Sequence, residues 1–208
     1  MKIAIITDTH FGARNDNVNF NEYFYQFYEG VFFPYLQQNN IKTCIHLGDC
    51  FDRRKYVSYR TAKDFRERFI LPFSVLGIDL HMLVGNHDIY YKNTSQVNSL
   101  TELLGDKHKN IHIYEDATEV DFDGLPILLM PWINQTNEIY AEGIPFPRFE
   151  YQLYSSRRTI INLDSRKIFP GTVRPFGAHI LVKRPKVGSS VKSEQFASSA
   201  TTVSYTHL

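Results

Sequence analysis

Three short apolar runs, each followed by polar residues, constrain the fold of this chain more than any other feature of its sequence. The runs cover residues 2–7, 43–47 and 79–84. They are almost continuously apolar instead of alternating, which is typical of strands buried on both faces of a parallel sheet. Because the carboxyl ends of such strands meet at one edge of a sheet, we expect the polar residues after the three runs to lie close together.

Helical patterns fill the gaps between the runs. Aromatic residues at helical spacing predict a helix over 18–38, with Pro34 bending or ending it. Ser58 can cap a second helix that runs to about Phe69, with Pro72 just beyond its end. Further along, the patterns predict a helix at 97–104, a strand at 111–114, and a hairpin of strands 119–122 and 125–130. This order predicts an α/β fold in which a sheet is layered with helices.

The predicted helix over 18–38 has an unusually wide apolar arc. Tyr25, Tyr28 and Phe32 extend it beyond half of the circumference, which is more than one sheet surface needs. One interpretation is that the helix is sandwiched within its own domain. The other is that it also meets a second subunit.

The polar residues after the runs have the chemistry of a metal site. Asp8 and His10 follow the first run, Asp49 follows the second, and Asn86 follows the third. Carboxylate, imidazole and amide ligands together favour first-row divalent ions such as Mn²⁺, Fe²⁺ or Zn²⁺. The two oxygens of Asp49 could bridge two ions about 3.5 Å apart, a pair that polarises a phosphate and activates water. One Asp-x-His is a weak signal, but three such sets in order are a strong one.

Other polar residues near these ligands could act on a phosphate. His87, next to Asn86 and oriented by a carboxylate, could protonate a leaving oxygen. Arg53 and Arg54 could bind phosphate oxygens, although residues 52–55 also fit a solvated run of charges. His46, inside an apolar run, is expected to be packed and not functional.

Charge is distributed unevenly along the chain. Residues 1–138 hold 13 Lys and Arg against 18 Asp and Glu, a net charge of −5, whereas 139–208 hold 10 against 4, a net charge of +6. The acidic first part argues against nonspecific binding of a polyanion by that part alone. Two cysteines make no disulfide framework, and we expect reduced thiols. With no export signal and no apolar run of membrane-spanning length, we expect a cytoplasmic protein without membrane contact.

The motifs at residues 8–10, 48–53 and 85–88 resemble those of the calcineurin-like metallophosphoesterases, and the likeness covers about residues 1–138. The sequence of residues 49–55, together with Met130-Pro131-Trp132, is similar to the motifs of SbcD-type DNA repair nucleases. Phage recombination endonuclease subunits are the most similar form of these nucleases. Phosphatases of the family carry Asp-Arg-Gly where this chain has Asp-Arg-Arg, which argues against a protein phosphatase.

The resemblance implies a two-layered β-sandwich flanked by helices, two Mn²⁺ ions and hydrolysis of DNA phosphodiester bonds in repair and recombination. It assigns Asp8, His10 and Asp49 to the first ion, Asp49 and Asn86 to the second, and His87 to the role of catalytic acid. It also implies a homodimer through N-terminal helices and an SbcC-like ATPase subunit as partner, in the cytoplasm of a bacterium or a phage-infected host.

The resemblance breaks down after the Pro-Trp pair. The family completes its metal site with a Gly-His and a later Gly-His-x-His, and neither motif is present here. A site short of ligands loses affinity and geometry, so we expect this chain to be inactive or impaired. The second predicted region, 139–208, reads as an atypical, irregular and basic tail of poor order. It is explained either by a frameshift or chimeric join near residue 139 or by a basic DNA-binding arm.

Three functions therefore compete. The main prediction is a metal-dependent DNA phosphodiesterase, an exonuclease or endonuclease of the SbcD type. The first alternative is a phosphoesterase for small substrates such as nucleotides. The second is a non-catalytic scaffold or DNA-binding fragment.

Overall fold

The computed structural model describes two long ranges of the chain, 1–105 and 107–136, with their side chains. Beyond residue 136 it describes the backbone of four strands, Glu150–Tyr154, Ile160–Asp164, His179–Lys183 and Thr201–Thr202. The predicted poor order of the tail concerns residues that lie outside this description. None of the described helices is long and apolar enough to cross a membrane.

The first sheet is parallel throughout and contains the three predicted strands as neighbours. Its strands are β1 (Ile3–Ile6), β2 (Thr43–His46), β3 (Asp79–Leu83), β4 (Ile111–Tyr114) and β10 (Thr201–Thr202), in the order β10-β1-β2-β3-β4. All four residues of β2 are buried, as the uninterrupted apolar run predicts. The carboxyl ends of β1, β2 and β3 therefore lie side by side at one edge.

The second sheet is antiparallel and packs behind the first. It consists of β5 (Thr118–Phe122), β6 (Leu125–Met130), β7 (Glu150–Tyr154), β8 (Ile160–Asp164) and β9 (His179–Lys183), in the order β5-β6-β9-β7-β8. The predicted hairpin is confirmed, with Asp123 and Gly124 both at positive φ, as a tight two-residue turn requires. Three strands of this sheet, β7, β8 and β9, come from residues after 138, and β9 pairs with β6.

Two long helices and one short helix accompany the first sheet. The first long helix consists of α1 (Val18–Phe27), a π-helical turn (Tyr28–Phe32) and α2 (Phe33–Gln38). The second long helix consists of α3 (Tyr59–Asp64), a π-helical turn (Phe65–Ile70) and α4 (Leu71–Leu76). The short helix is α5 (Ser99–Leu104). The predicted helix over 18–38 is confirmed, and Pro34 does not end it.

The predicted end of the second helix near Phe69 is wrong, because the helix continues through Pro72 as α4. A proline has no N–H and crowds the carbonyl four residues before it. Here the turn before the proline is widened, so that the N–H of Leu71 bonds to the carbonyl of Arg66, five residues back. The helix passes the proline because the hydrogen-bond register shifts just ahead of it.

Apolar side chains fill both sides of the first sheet. On the helix side lies a group that we call the aromatic core, consisting of Phe11, Tyr25, Tyr28, Phe65 and Phe69. On the other side, Ile45 and Leu83 pack against Ile127 and Leu129 of the second sheet. The expected β-sandwich flanked by helices is therefore confirmed.

Candidate metal centre

The loops after β1, β2 and β3 form one continuous structure, which we call the ligand loops (residues 7–12, 47–52 and 84–88). The N–H of Asp8 donates to the carbonyl of Gly48 at 3.2 Å, and the N–H of His10 donates to the carbonyl of Asp49 at 3.1 Å. Pairing between neighbouring chain segments thus continues past the ends of β1 and β2. This continuation fixes the predicted ligands relative to one another.

Three predicted metal ligands converge in these loops. Asp8, His10 and Asp49 each offer a ligand atom, and these atoms all lie within 4.8 Å of one another. The side chains are partly buried, and His10 Nε2 lies 3.8 Å from Asp8 Oδ1. This donor set has the composition of a site for a divalent cation.

The electrostatics of this group favour a positive charge. Burial alone would lower the pKa of His10, but its hydrogen bond to Asp8 and the charges of Asp49, Asp8 and Asp52 raise it above its usual value. Burial alone would raise the pKa of Asp8, but hydrogen bonds with His10 and Thr7 lower it. The raised pKa of His10 reports the negative potential of the surrounding carboxylates, which a bound cation would relieve, whereas the lowered pKa of Asp8 reports the hydrogen bonds that its carboxylate accepts.

The backbone of the three converging ligands is strained. Asp8, His10 and Asp49 have φ values of 53°, 42° and 55°, in the left-handed region that residues other than glycine rarely occupy. Such conformations cost on the order of 1 kcal/mol or more each and persist only where the surroundings enforce them. Three of the eight described non-glycine residues with positive φ are thus predicted ligands.

Two glycines allow the second and third ligand loops to touch. A Cβ on Gly85 would lie 2.2 Å from the backbone nitrogen of Asp49 and 2.4 Å from its Oδ1. A Cβ on Gly48 would lie 2.8 Å from Cα of Gly85. No side chain fits at Gly85 without displacing Asp49, or at Gly48 without displacing Gly85, which explains both glycines of the sequence motifs.

Asn86, the fourth predicted ligand, lies against Asp49. The polar end of its amide is 3.0 and 3.2 Å from the two carboxylate oxygens of Asp49. If the amide nitrogen of Asn86 faces Asp49, it donates to the carboxylate. If the amide oxygen faces Asp49, the oxygens of the two side chains lie next to each other with no hydrogen between them. The second arrangement is one that a shared cation would satisfy, so the residues present fit a metal between them.

His87 is held by the backbone. Its N–H donates to Asp49 Oδ1 at 2.8 Å, and its Nδ1 lies 2.7 Å from the carbonyl oxygen of Asp52. Because a carbonyl only accepts, Nδ1 carries the proton in this bond and Nε2 is left available. The ring edge faces His10, with centroids 5.0 Å apart. The expectation that a carboxylate orients His87 is wrong, since the carbonyl of Asp52 does so.

Asp88 supports the ligand loops, a role that the sequence analysis missed. It is fully buried and accepts three backbone N–H groups, from Cys50, Phe51 and Gly85, at 2.9 to 3.1 Å. Burial raises its pKa to about 6, although the three hydrogen bonds act to lower it. The signal that could have identified this supporting role is a carboxylate next to the predicted ligand Asn86 that is not itself a predicted ligand.

His46 is packed, as expected, and it also connects the first two ligand loops. Its Nδ1 accepts the N–H of Gly48 at 3.1 Å, so Nε2 carries the proton and faces Thr9 Oγ1 at 3.0 Å. The Thr9 hydroxyl in turn donates to the carbonyl of Cys50. Burial lowers the pKa of His46 to about 4, which keeps the ring neutral in this network.

The two predicted phosphate-binding arginines have different surroundings. Arg53 lies 3.3 Å from Asp16 and also bonds to Asn15 and Tyr56. Arg54 makes no hydrogen bond or ion pair with the part of the chain that the structure describes, and it is partly exposed. Of the two, Arg54 is the one whose guanidinium is not committed to another described residue.

Comparison with known proteins agrees with this geometry. Carboxylate and imidazole ligands at the carboxyl edge of a parallel sheet, backed by a second sheet, define a metal-binding α/β class. The family model for calcineurin-like phosphoesterases matches residues 1–178, and this chain belongs to that family. The match extends past residue 138, while the predicted domain boundary there stays a prediction.

One curated relative is exonuclease subunit 1 of Enterobacteria phage T4. It is 36% identical over 144 residues, which cover 66% of this chain and 40% of that protein. The chain thus spans about 40% of the length of this relative. Among solved structures, the protein of unknown function AQ665 from Aquifex aeolicus is 20% identical, with a TM-score of 0.31, over 61% of this chain and 58% of that chain.

Proposed function

We propose that this chain is the nuclease part of a metal-dependent DNA phosphodiesterase. The observation that carries the proposal is the convergence of Asp8, His10 and Asp49, with Asn86 and His87 both against Asp49. The phosphoesterase family supplies the reaction type, and the exonuclease subunit of phage T4 makes DNA the favoured substrate. Such an enzyme would work where DNA is found, in the cytoplasm of a bacterium or an infected host.

We assign residues to two ions as the family resemblance implies, and the positions of the side chains support this assignment. Asp8, His10 and Asp49 would hold one ion, and Asp49 with Asn86 would hold a second. Oxygen and imidazole donors without thiolates favour Mn²⁺ among the ions of this size. When bound, such ions supply charge that polarises the phosphate and makes water a nucleophile.

His87 would act as the acid for the leaving oxygen. The bond from Nδ1 to the Asp52 carbonyl fixes the ring, so that in the imidazolium form the proton on Nε2 would pass to the leaving oxygen and leave the neutral ring with its Nδ1 proton. The same fixed ring would orient the departing group. Arg54 would contact a phosphate oxygen, whereas Arg53 would mainly hold the loop through Asp16.

The partners proposed for this chain follow its relative. The T4 protein is a subunit, so we propose an SbcC-like ATPase subunit as partner, and a homodimer through the first long helix. Tyr23 and Val31 on that helix are 64% and 57% exposed, which leaves apolar surface for a second copy. Tyr25 and Tyr28 of the same helix are buried within the domain, as the first interpretation of its wide arc expects, and contact with a second subunit is the part that we propose.

Titration calorimetry with MnCl₂ tests the metal centre. We expect saturable binding that Asp49→Ala abolishes, because Asp49 contacts both proposed ion positions. Asp79→Ala is the matched control, since Asp79 is an exposed carboxylate at the opposite end of β3. Binding that survives Asp49→Ala would contradict the bridging role.

A substrate panel with Mn²⁺ tests the reaction. It contains duplex DNA, single-stranded DNA and bis(p-nitrophenyl) phosphate. We expect slow cleavage of DNA, impaired by the missing Gly-His motifs and dependent on Asp49. His87→Asn should reduce DNA cleavage more than cleavage of the nitrophenyl ester, whose leaving group needs no acid. Cleavage of the ester alone would favour a small-substrate enzyme, and neither metal binding nor cleavage would favour a scaffold.

A further inference from the structure

Four exposed tyrosines follow residues of the candidate metal centre closely in the chain; we call Tyr56, Tyr59, Tyr90 and Tyr91 the tyrosine rim. Their exposed fractions are 59%, 97%, 38% and 52%. Most other aromatic side chains of the described residues lie in or against the core. An exposed aromatic group of this size at one edge of a protein usually marks a binding surface.

The rim is continuous with the proposed active site. Tyr56 and Tyr59 follow Asp52 in the chain, and Tyr90 and Tyr91 follow His87. Asp52 and His87 are joined by the 2.7 Å hydrogen bond described above. The two tyrosine pairs therefore extend from the two sides of one contact within the centre.

Cations are interleaved with the rings. Lys55 Nζ lies 5.7 Å from the ring centroid of Tyr90, which connects the two rim segments, and the Arg53 guanidinium lies 4.8 Å from the ring of Tyr56. Tyr90 and Tyr91 contact edge to face, with centroids 4.7 Å apart. Rings and positive charges therefore alternate along Tyr56, Tyr90 and Tyr91.

The rim is basic in an otherwise acidic region. Residues 53–60 contain four of the 13 Lys and Arg of residues 1–138 and no Asp or Glu, although that region has a net charge of −5. Residues 89–97 add Lys92 without any acidic residue. Since Arg53 and Arg60 pair with Asp16 and Asp64, the other cations of the two stretches are the ones available to a polyanion beside the proposed active site.

We propose that the tyrosine rim binds unpaired DNA, by stacking bases on the rings while Arg54 and Lys92 contact phosphates. The inference rests on the proposed function and specifies its substrate as single-stranded or frayed DNA. Inside a duplex both faces of a base are covered by neighbouring pairs, so an exposed tyrosine ring can stack only on an unpaired or terminal base. Since every base has such a face, binding is tolerant of sequence.

A protein partner is the other kind of ligand that tyrosine and arginine serve. The charge pattern favours DNA, because residues 53–60 and 89–97 carry cations and no carboxylates. A protein partner remains an outcome of the experiment below.

Fluorescence anisotropy in EDTA measures binding without cleavage. The probes are a labelled 15-residue oligothymidylate, an abasic strand of equal length and the matching duplex. We expect the oligothymidylate to bind roughly tenfold or more tightly than the abasic strand, which has the same phosphates but no bases to stack. Tyr90→Ala with Tyr91→Ala should weaken oligothymidylate binding roughly tenfold to a hundredfold.

Controls separate stacking from folding. Tyr90→Phe with Tyr91→Phe keeps the rings and should retain the affinity. Tyr35→Ala removes an exposed tyrosine from α2, close to the amino-terminal end of β2, and should change nothing. Equal affinity for the abasic strand, or unchanged affinity in the Tyr→Ala variant, would overturn the proposal, and the latter would assign the rim to a protein partner.

The same samples distinguish this inference from the proposed function. Asp49→Ala should bind the oligothymidylate normally in EDTA, since the rim does not need a metal. If the chain binds DNA through the rim but no cleavage depends on Asp49, the proposed function fails and the inference stands. If cleavage depends on Asp49 but the rim variants bind normally, the inference fails and the proposed function stands.

Discussion

The ligand loops and the aromatic core lie on neighbouring parts of the first sheet, but they are built in opposite ways. In the ligand loops, Asp8, His10 and Asp49 have strained backbones, and carboxylates approach one another. In the aromatic core, Phe65 and Phe69 stack with centroids 5.8 Å apart, and both lie in the second π-helical turn. Both phenylalanines are almost completely buried.

The difference indicates which region stabilises the other. Strain and mutual repulsion of carboxylates make the ligand loops unfavourable by themselves. Burial of large rings is favourable by several kcal/mol per residue. Phe11 belongs to both regions, since its ring packs in the core while its N–H bonds to Cys50 of a ligand loop. The core therefore supports a site that could not hold its own geometry.

Removing a ring from the core should have the largest effect on stability. Phe69→Ala should lower the free energy of unfolding by about 3–5 kcal/mol, because Phe69 contacts rings from several elements and leaves a cavity. Chemical denaturation measures the change. Val75→Ala, at a 75% exposed position of the second long helix, is the control and should change stability by less than about 0.5 kcal/mol.

Gly85→Ala should damage both stability and metal binding. The added methyl group would overlap the backbone nitrogen of Asp49, so the second and third ligand loops must separate. We expect a loss of about 1–3 kcal/mol in unfolding free energy and no saturable Mn²⁺ binding by calorimetry. Gly30→Ala is the matched control, since a Cβ there meets nothing within 4 Å and should be neutral or slightly stabilising. Normal Mn²⁺ binding in Gly85→Ala would contradict the role given to this contact.

Asp88→Asn should have a similar effect on stability and a smaller effect on metal binding than Gly85→Ala. The amide presents an N–H₂ group where the carboxylate accepts three backbone N–H groups, so at least one donor loses its partner. We expect a loss of about 1–3 kcal/mol in unfolding free energy and weaker Mn²⁺ binding. Thermal unfolding and calorimetry measure the two effects. Full metal affinity in this variant would show that Asp88 supports the fold without positioning the ligands.

A pH-dependent effect should come from outside the ligand loops. Burial and the neighbouring His112 lower the pKa of His81 to about 4, against 6.5 in the unfolded chain. As the pH falls, His81 is protonated in the unfolded chain before it is protonated in the folded chain. The free energy of unfolding is therefore unaffected by this group above pH 6.5 and decreases as the pH falls toward 4. His81→Asn keeps an amide near Tyr114 and should reduce that acid-induced loss by about 1–3 kcal/mol. Denaturation at pH 7 and pH 4.5 measures it, and equal losses in both proteins would contradict the assignment.

Much of this organisation could be predicted from the sequence because it is local. Uninterrupted apolar runs predicted β1, β2 and β3, and residues directly after them predicted Asp8, Asp49 and Asn86 as neighbours. The continuation of the second helix past Pro72 could not be predicted, because it depends on a register shift that has no residue signature. The contacts of Asp88 with Cys50 and of His87 with the Asp52 carbonyl join distant loops, so no local pattern encodes them.

The contact between Gly48 and Gly85 has a consequence for how this site tolerates change. Main chain meets main chain there, with no side chain in between. The spacing of Asp49 and Asn86 is thus set by the thickness of the polypeptide itself and not by the sizes of packed residues. Substitutions elsewhere in the sandwich can accumulate and shift the two sheets relative to each other, while the distance between the side chains of Asp49 and Asn86 stays the same.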